Sequence, residues 1–196
     1  MENKAVSRCG WVNQDPLYID YHDNEWGVPV YDDRLLFELI NLEGAQAGLS
    51  WYTILKKREN YRKAFDHFNA EKIVAYDDHM IEELIHNDGI VRNRLKINAV
   101  VTNAEAFLQV VEEFGSFADY IWSFVGGKPI QNHFKDLSEV PATTEISDHL
   151  SKDLKKRGFK FVGSTICYAF MQAAGLVNDH IETCFCYQKS SKKTMS

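Results

Sequence analysis

Three groups of side chains in this sequence have the types and spacing to do chemistry. The first is split between the chain ends, with Cys9 and His22 near the start and His180 and Cys184 near the finish. The four-residue step from His180 to Cys184 suits one helical face or one tight turn. Two thiolates with two imidazoles have the composition of a closed structural zinc site. Spacing alone leaves another reading open, in which the thiols are simply buried and the histidines lie at the surface. The second group surrounds Glu43, the one acid in the small, apolar stretch LEGAQAGLSW, with Trp11, Tyr18, Tyr21, Trp26 and Trp51 around it. A carboxylate among aromatic faces suits a flat ligand with exocyclic N–H groups, above all a cationic one, because ring quadrupoles attract cations. The same residues also fit an aromatic core with Glu43 at the surface near a helix end.

The third group runs from Ser151 to Lys160, where Lys152, Lys155, Lys156, Arg157 and Lys160 face a single anion, Asp153, in a chain of net charge −6. Glycines bound the turn beyond it. Backbone amides opening onto a helix N-terminus form a natural seat for a phosphate, and lysines around it add salt-sensitive affinity for a nucleic acid backbone. A solvated helix face is the competing reading of a lysine run.

The elements that must position these groups are helical. Leu150 and Leu154 prepare a helix that Gly158 stops, and Ser164 or Thr165 is expected to cap an apolar helix running to Gly175. The first 31 residues read as a short helix and an aromatic-rich loop. Leu35, Leu36, Leu39 and Ile40 recur at helical spacing behind Asp32 or Asp33 as cap, until Gly44 and Gly48 interrupt. Ser50 caps the next helix, and others are expected over Glu71–Tyr76 and Asp78–His86. Arg92–Phe114 keeps a 3.6-residue apolar period and is expected to be a central packing helix. Ser116 with Asp119 resembles a capping box for a helix over Phe117–Val125, and 126–144 reads as a surface loop. No period-two alternation persists, so the chain is expected to be all-α.

With 196 residues, 45% of them hydrophobic, the chain can bury a substantial core. The start lacks the apolar run of a signal peptide and no window suits a membrane span, so a cytoplasmic protein with no membrane partner is expected. Four cysteines are too few for a disulfide scaffold in a chain of this size. Net acidity argues against indiscriminate nucleic acid binding, although a local basic face can still dock DNA. The tail from Gln188 is polar and is expected to be disordered.

CGW at Cys9–Trp11, DPLYIDYHDNEWGVP at Asp15–Pro29, LEGAQAGLSW, LKKRENYRKAF at Leu55–Phe65 and LKKRGFKFVGSTICYAFMQAAGLVNDH at Leu154–His180 closely resemble the 3-methyladenine DNA glycosylase I family. Long ungapped motifs in order and spacing make this specific, and they span nearly the whole chain except the first eight residues and the tail. The resemblance implies an all-α helix-hairpin-helix DNA glycosylase fold. It implies a structural zinc ion on Cys9, His22, His180 and Cys184 that joins the terminal segments. It puts Glu43 on the residue that recognises the damaged base, the candidate catalytic position, and Trp11, Tyr18, Tyr21 and Trp51 on its aromatic pocket, which Trp26 adjoins. Gly48 and Leu49 fall in the base-pair-invading loop. Lys155, Lys156, Arg157, Lys160, Gly163 and Ser164 are the expected DNA contacts. The expected partners are duplex DNA containing 3-methyladenine and the free base as product, handled by a monomer. Residues 1–187 are expected to form one unit, with a hairpin-containing lobe over about 32–175 and zinc-linked terminal segments over about 9–31 and 176–187.

Two departures accompany the resemblance. Asn178 stands where many helix-hairpin-helix glycosylases carry a catalytic aspartate, which leaves Asp179 pointing elsewhere or supporting His180. Ala45 occupies a position where a longer polar residue is expected. Two other classes share some of these features: a non-catalytic helix-hairpin-helix module that grips DNA, and a small-molecule binder using the aromatic pocket. The aromatic group around Glu43 disfavours the first and the basic hairpin the second.

Overall fold

The computed structural model describes residues 6–188, so most of the tail expected to be disordered lies outside the described residues. The element order is α1 (Pro16–Asn24), α2 (Asp33–Gln46), α3 (Trp51–Ala64), α4 (Ala70–Ile73), α5 (Asp78–His86), α6 (Arg94–Phe114), α7 (Phe117–Ser123), β1 (Ile130–Gln131), α8 (Glu145–Lys156), α9 (Ser164–Ala173) and β2 (Val177–Asn178). The helical reading holds, with one addition. The segment 126–144 is pinned by a two-residue parallel pairing of β1 with β2, too short for any alternation to register in sequence.

Local chemistry explains where the helices begin. Helices α1 to α8 open on Asp15, Asp32, Ser50, Asn69, Asp77, Asn93, Ser116 and Thr144, and each side chain accepts an amide of the first turn. Asp33, the alternative cap for α2, instead accepts the amides of Phe117 and Ala118 and so ties α7 to α2. Helix α9 differs: Gly163 is its N-cap and no side chain caps it. The Ser164 hydroxyl donates to Asp148 and meets the Ser147 hydroxyl at 2.9 Å, which corrects the expectation that Ser164 or Thr165 caps α9.

Helix α6 packs against α2, α4, α5 and α7 as expected, but α2 is the more deeply buried of the two. Every residue from Leu36 to Ala45 is buried, whereas α6 buries one stripe (Ile97, Val100, Ala104, Phe107) and leaves its other face in water. Sequence periodicity shows the stripe of α6, but the polar Glu38, Asn41 and Glu43 alternate with the apolar residues of α2 and read as a solvent face. Gly44 does not interrupt α2. A Cβ there would lie 3.1 Å from the Phe161 Cβ and 3.2 Å from the Phe161 carbonyl, so the glycine allows α2 and the α8–α9 hairpin to meet. After α3 the chain reverses through Asp66, His67 and Phe68, all with positive φ, where Asp66 accepts the Tyr76 hydroxyl at 2.7 Å and Phe68 is buried. Among the described residues no helix is long and apolar enough to cross a membrane.

Gly175, at φ +69, turns the chain from α9 into β2, and a Cβ there would lie 2.4 Å from the Val28 carbonyl carbon and 2.5 Å from Pro29 N. Gly175→Ala is therefore expected to lower the unfolding free energy by about 3 kcal/mol or more in urea titration. Gly115→Ala has similar dihedral strain (φ +87) but nothing within 4 Å of the new atom, and is expected to cost about 1–2 kcal/mol.

Candidate functional site

The aromatic cavity assembles from six parts of the chain. Helix α1 presents Tyr18 and Tyr21, three residues apart on one face, while Trp11 precedes it and Trp26 follows it. Trp11 meets Tyr21 and Trp26 edge to face, with ring centres 6.5 and 5.0 Å away, and lies tilted against Tyr18 at 5.1 Å. Trp51, in the first turn of α3, sits 5.4 Å from Tyr21. Helix α2 brings Glu43 and Gln46, α9 brings Ala169 and Gln172, and the chain beyond β2 brings Asp179. These residues, with Leu137 and Val140, line a cavity of about 220 Å³. That is smaller than the roughly 300–1,000 Å³ typical of drug-sized ligands and suits a single flat heterocycle.

All six residues expected to bind a base therefore line one cavity. Sequence reasoning missed the rest. Gln46 and Gln172 each had a signal, since Gln46 lies one helical turn beyond Glu43 and Gln172 follows the hairpin on the apolar helix. Leu137 and Val140 had none, because only the strand pairing folds the 126–144 loop over the cavity.

The cavity's electrostatics centre on Glu43. It is 4% exposed, forms no hydrogen bond with any described residue, and burial pushes its pKa up to about 8. The buried Trp51 Nε1 also has no partner among the described residues. An unmet acceptor and an unmet donor thus belong to the same cavity, an arrangement that a folded interior tolerates only where something else completes it. Burial, and then the Glu43 charge, also push the Tyr18 and Tyr21 phenols up, so both remain neutral hydroxyls.

Asp179 is where the expectation needs correcting. It does not support His180: it lines the cavity and accepts from the Tyr168 hydroxyl (2.5 Å), Gln172 Nε2 (2.8 Å) and Asn132 Nδ2 (2.7 Å). Asn178 is the residue that serves His180, accepting its backbone N–H at 3.2 Å while its own amide donates to Gln131 and to the Tyr187 carbonyl.

The four metal-type residues converge beside this cavity. Cys9, His22, His180 and Cys184 are all buried, and their ligating atoms lie within 4.8 Å of one another. Cys184 Sγ is 3.5 Å from both His22 Nε2 and His180 Nδ1, and Cys9 Sγ is 3.5 Å from His180 Nδ1. A tetrahedral ion with metal–sulfur and metal–nitrogen bonds of about 2.3 and 2.0–2.1 Å requires a spacing of about 3.5 Å between such ligands. The outer nitrogens complete the fit. His22 Nδ1 meets Asp23 at 2.7 Å, Asp23 is held by Arg8, and His180 Nε2 donates to the Trp26 carbonyl at 3.1 Å; each ring thus turns its other nitrogen inward.

At the hairpin, Lys155, Lys156 and Lys160 are exposed, and Gly163 leads the uncapped end of α9. Arg157 is directed elsewhere: its guanidinium donates to Asp153 and Glu113 at 2.7 Å each and lies over Phe114 and Tyr120. Gly48, at φ +78, and Leu49, 41% exposed, form the turn between α2 and α3 at the cavity's edge.

A family model described as methyladenine glycosylase matches residues 11–187. DNA-3-methyladenine glycosylase 1 of Escherichia coli (strain K12) is 58% identical over 182 residues, covering 93% of this chain and 97% of that protein. A solved structure of 3-methyladenine DNA glycosylase I superimposes with a TM-score of 0.90 at 59% identity, over 92% of this chain and 99% of that one. The Staphylococcus aureus enzyme, whose structure was solved for the basis of its 3-methyladenine recognition, gives 0.89 at 40% identity over 92% and 96% of the two chains. Matches of this extent, over a chain whose aromatic cavity and Cys/His cluster both assemble, mean that the protein belongs to the methyladenine glycosylase family.

Proposed function

We propose that this protein is a DNA repair enzyme that flips 3-methyladenine out of alkylated duplex DNA and hydrolyses its glycosidic bond, leaving an abasic site and the free base. The observation that carries this reading is Glu43, a buried carboxyl without a hydrogen-bond partner among the described residues, in an aromatic cavity of one-base size. No lysine lines that cavity, which supports hydrolysis without a Schiff-base strand-cleaving step.

The chemistry follows from charge. Methylation at N3 makes the attached adenine a cation, so breaking its bond to the sugar releases a neutral base and needs little acid assistance. In the base-free protein, burial favours the protonated Glu43; a cationic ring stacked on the tryptophans and tyrosines favours the anion. Neutral adenine meets the protonated Glu43 and gains none of that charge attraction, so the cationic base is preferred. That attraction weakens as positive charge moves from base to sugar, and Glu43 therefore serves selection more than acceleration. Asp179, oriented by three donors, supplies a second carboxylate in the same wall, where an anion gains as the sugar becomes positive.

A stacked base must first be extruded, which costs a few kcal/mol and less for a lesion that pairs badly. Leu49 behind Gly48 is the apolar wedge for the vacated space. Lys155, Lys156 and Lys160, with Gly163, Ser164 and the open amides of α9, are the seat for the strand's phosphates. Cys9, His22, His180 and Cys184 would hold a zinc ion, and its role would be structural because four protein ligands would leave no position for water. Residues up to 187 act as one unit, as a monomer in the cytoplasm.

The deciding experiment incubates the protein with methylated duplex DNA and measures free 3-methyladenine. The parent is expected to release it and Glu43→Gln to lose at least about tenfold in release; equal release would end the role given to Glu43. The same variant has a signature in pH. The Glu43 pKa is raised from 4.5 to about 8, so its neutral form stabilises the fold at low pH and that contribution is lost as pH rises through about 8. In thermal unfolding without base, parent and Glu43→Gln are expected to match near pH 4, with the variant more stable near pH 9.

Elemental analysis is expected to find one zinc per chain, and Cys184→Ala to lose the zinc and lower the unfolding temperature. Reversing the charge of both Lys155 and Lys156 is expected to weaken duplex binding and to flatten its log–log salt dependence by about 2. An unchanged slope would remove the hairpin from phosphate binding.

A further inference from the structure

Helix α6 reaches the elements assigned above to base flipping and strand binding through two polar side chains placed two helical turns apart, Lys96 and Asn103. Asn103 is buried: it accepts the Lys160 backbone N–H at 2.7 Å and donates to the Lys160 carbonyl at 3.3 Å and to Asn41 Oδ1 at 2.9 Å. It thereby fixes α6 against the hairpin and against α2 two residues before Glu43. Lys96 acts one end further along. Its Nζ donates to the carbonyls of Ala45 (2.8 Å) and Ala47 (2.6 Å), groups left at the C-terminal end of α2, where the helix dipole is negative. It is half-buried, burial draws its pKa down, and it pairs with no carboxylate among the described residues.

Those two carbonyls immediately precede Gly48 and Leu49. The turn is closed on itself, with Leu49 N–H donating to the Gln46 carbonyl (2.7 Å) and Gln46 Nε2 donating to the Leu49 carbonyl (2.6 Å). A closed turn moves as a piece, so what decides where its apolar tip sits is how its base is held, and Lys96 holds that base from α6. The Ala45 side chain is buried, and the Ala45 carbonyl anchors the loop.

We propose that Lys96 is a positioning residue for the invading turn: it sets the height at which Leu49 enters the duplex relative to the cavity that receives the flipped base. This rests on the function proposed above.

Lys96→Met keeps the aliphatic stem and removes the donors, and three measurements test it. The single-turnover release of 3-methyladenine from duplex DNA is expected to fall at least about tenfold, with release from single-stranded methylated DNA within about twofold of the parent, because no partner strand has to be parted there. Affinity for free 3-methyladenine is expected to be unchanged. In a Leu49→Gly background the Lys96→Met loss on duplex is expected to vanish, since the group it positions is gone. Equal losses on duplex and single strands, an undiminished loss in the Leu49→Gly background, or no loss at all would each overturn the proposal. If Lys96→Met fails to fold by thermal unfolding, Lys96→Gln, which retains a shorter donor, carries the same comparison. A parent that released 3-methyladenine from neither DNA would overturn the functional reading itself; a releasing parent with equal losses overturns only the role of Lys96.

Discussion

A carboxyl group buried without a partner is the constraint on which this structure turns. Helix α2 is buried from Leu36 to Ala45 and carries three polar side chains inward. Glu38 is answered by Arg62, whose Nε and Nη2 lie 2.7–3.1 Å from its oxygens, and Asn41 by Asn103. Glu43, one turn further on, is not answered. Ionising it costs a few kcal/mol, as its pKa of about 8 records, and an interior selected for stability alone would have paired it or replaced it. The rest of the molecule keeps that carboxyl dry: aromatic rings on one side, α9 on the other, and a loop drawn over the edge by two strand residues.

The terminal cluster belongs to the same arrangement. The Trp26 ring lines the cavity while its carbonyl accepts from His180, and Trp11, two residues beyond Cys9, lies 5.1 Å from the His22 ring. Trp26 packs against both the main core and the small cysteine cluster, so one residue belongs to cavity wall and metal-type site alike. Joining the chain ends therefore fixes the rings against which a base would stack. The four converging side chains thus hold the cavity's walls in place whatever they bind.

Much of this was legible in the sequence, and the failures have physical causes. The caps Asp32, Ser50 and Ser116 were readable because side-chain capping is local, and α5 matched its expected bounds. Glu43 was readable as the one acid in an apolar stretch. The all-round burial of α2 was not, because the polar Glu38, Asn41 and Glu43 alternate with its apolar residues and read as a solvent face. The reversal at Asp66–Phe68 carries no glycine to announce its left-handed backbone, and tertiary packing around Phe68 and Tyr76 holds it. Arg157 looked like one more cation of the hairpin, yet its carboxylate partner Glu113 is 44 residues away in sequence. Asp179 was visible but misjudged, since its donors Asn132 and Tyr168 come from segments that only the folded chain brings together.

The contact between Gly44 and Phe161 has a consequence for what the crossing of α2 and the hairpin can admit. With only a backbone hydrogen at that crossing, α2 and the hairpin meet one residue from Glu43 on one side and one residue from Lys160 on the other. Any side chain at position 44 would therefore push helix α2 and the hairpin apart and carry Glu43 and Lys160 away from one another.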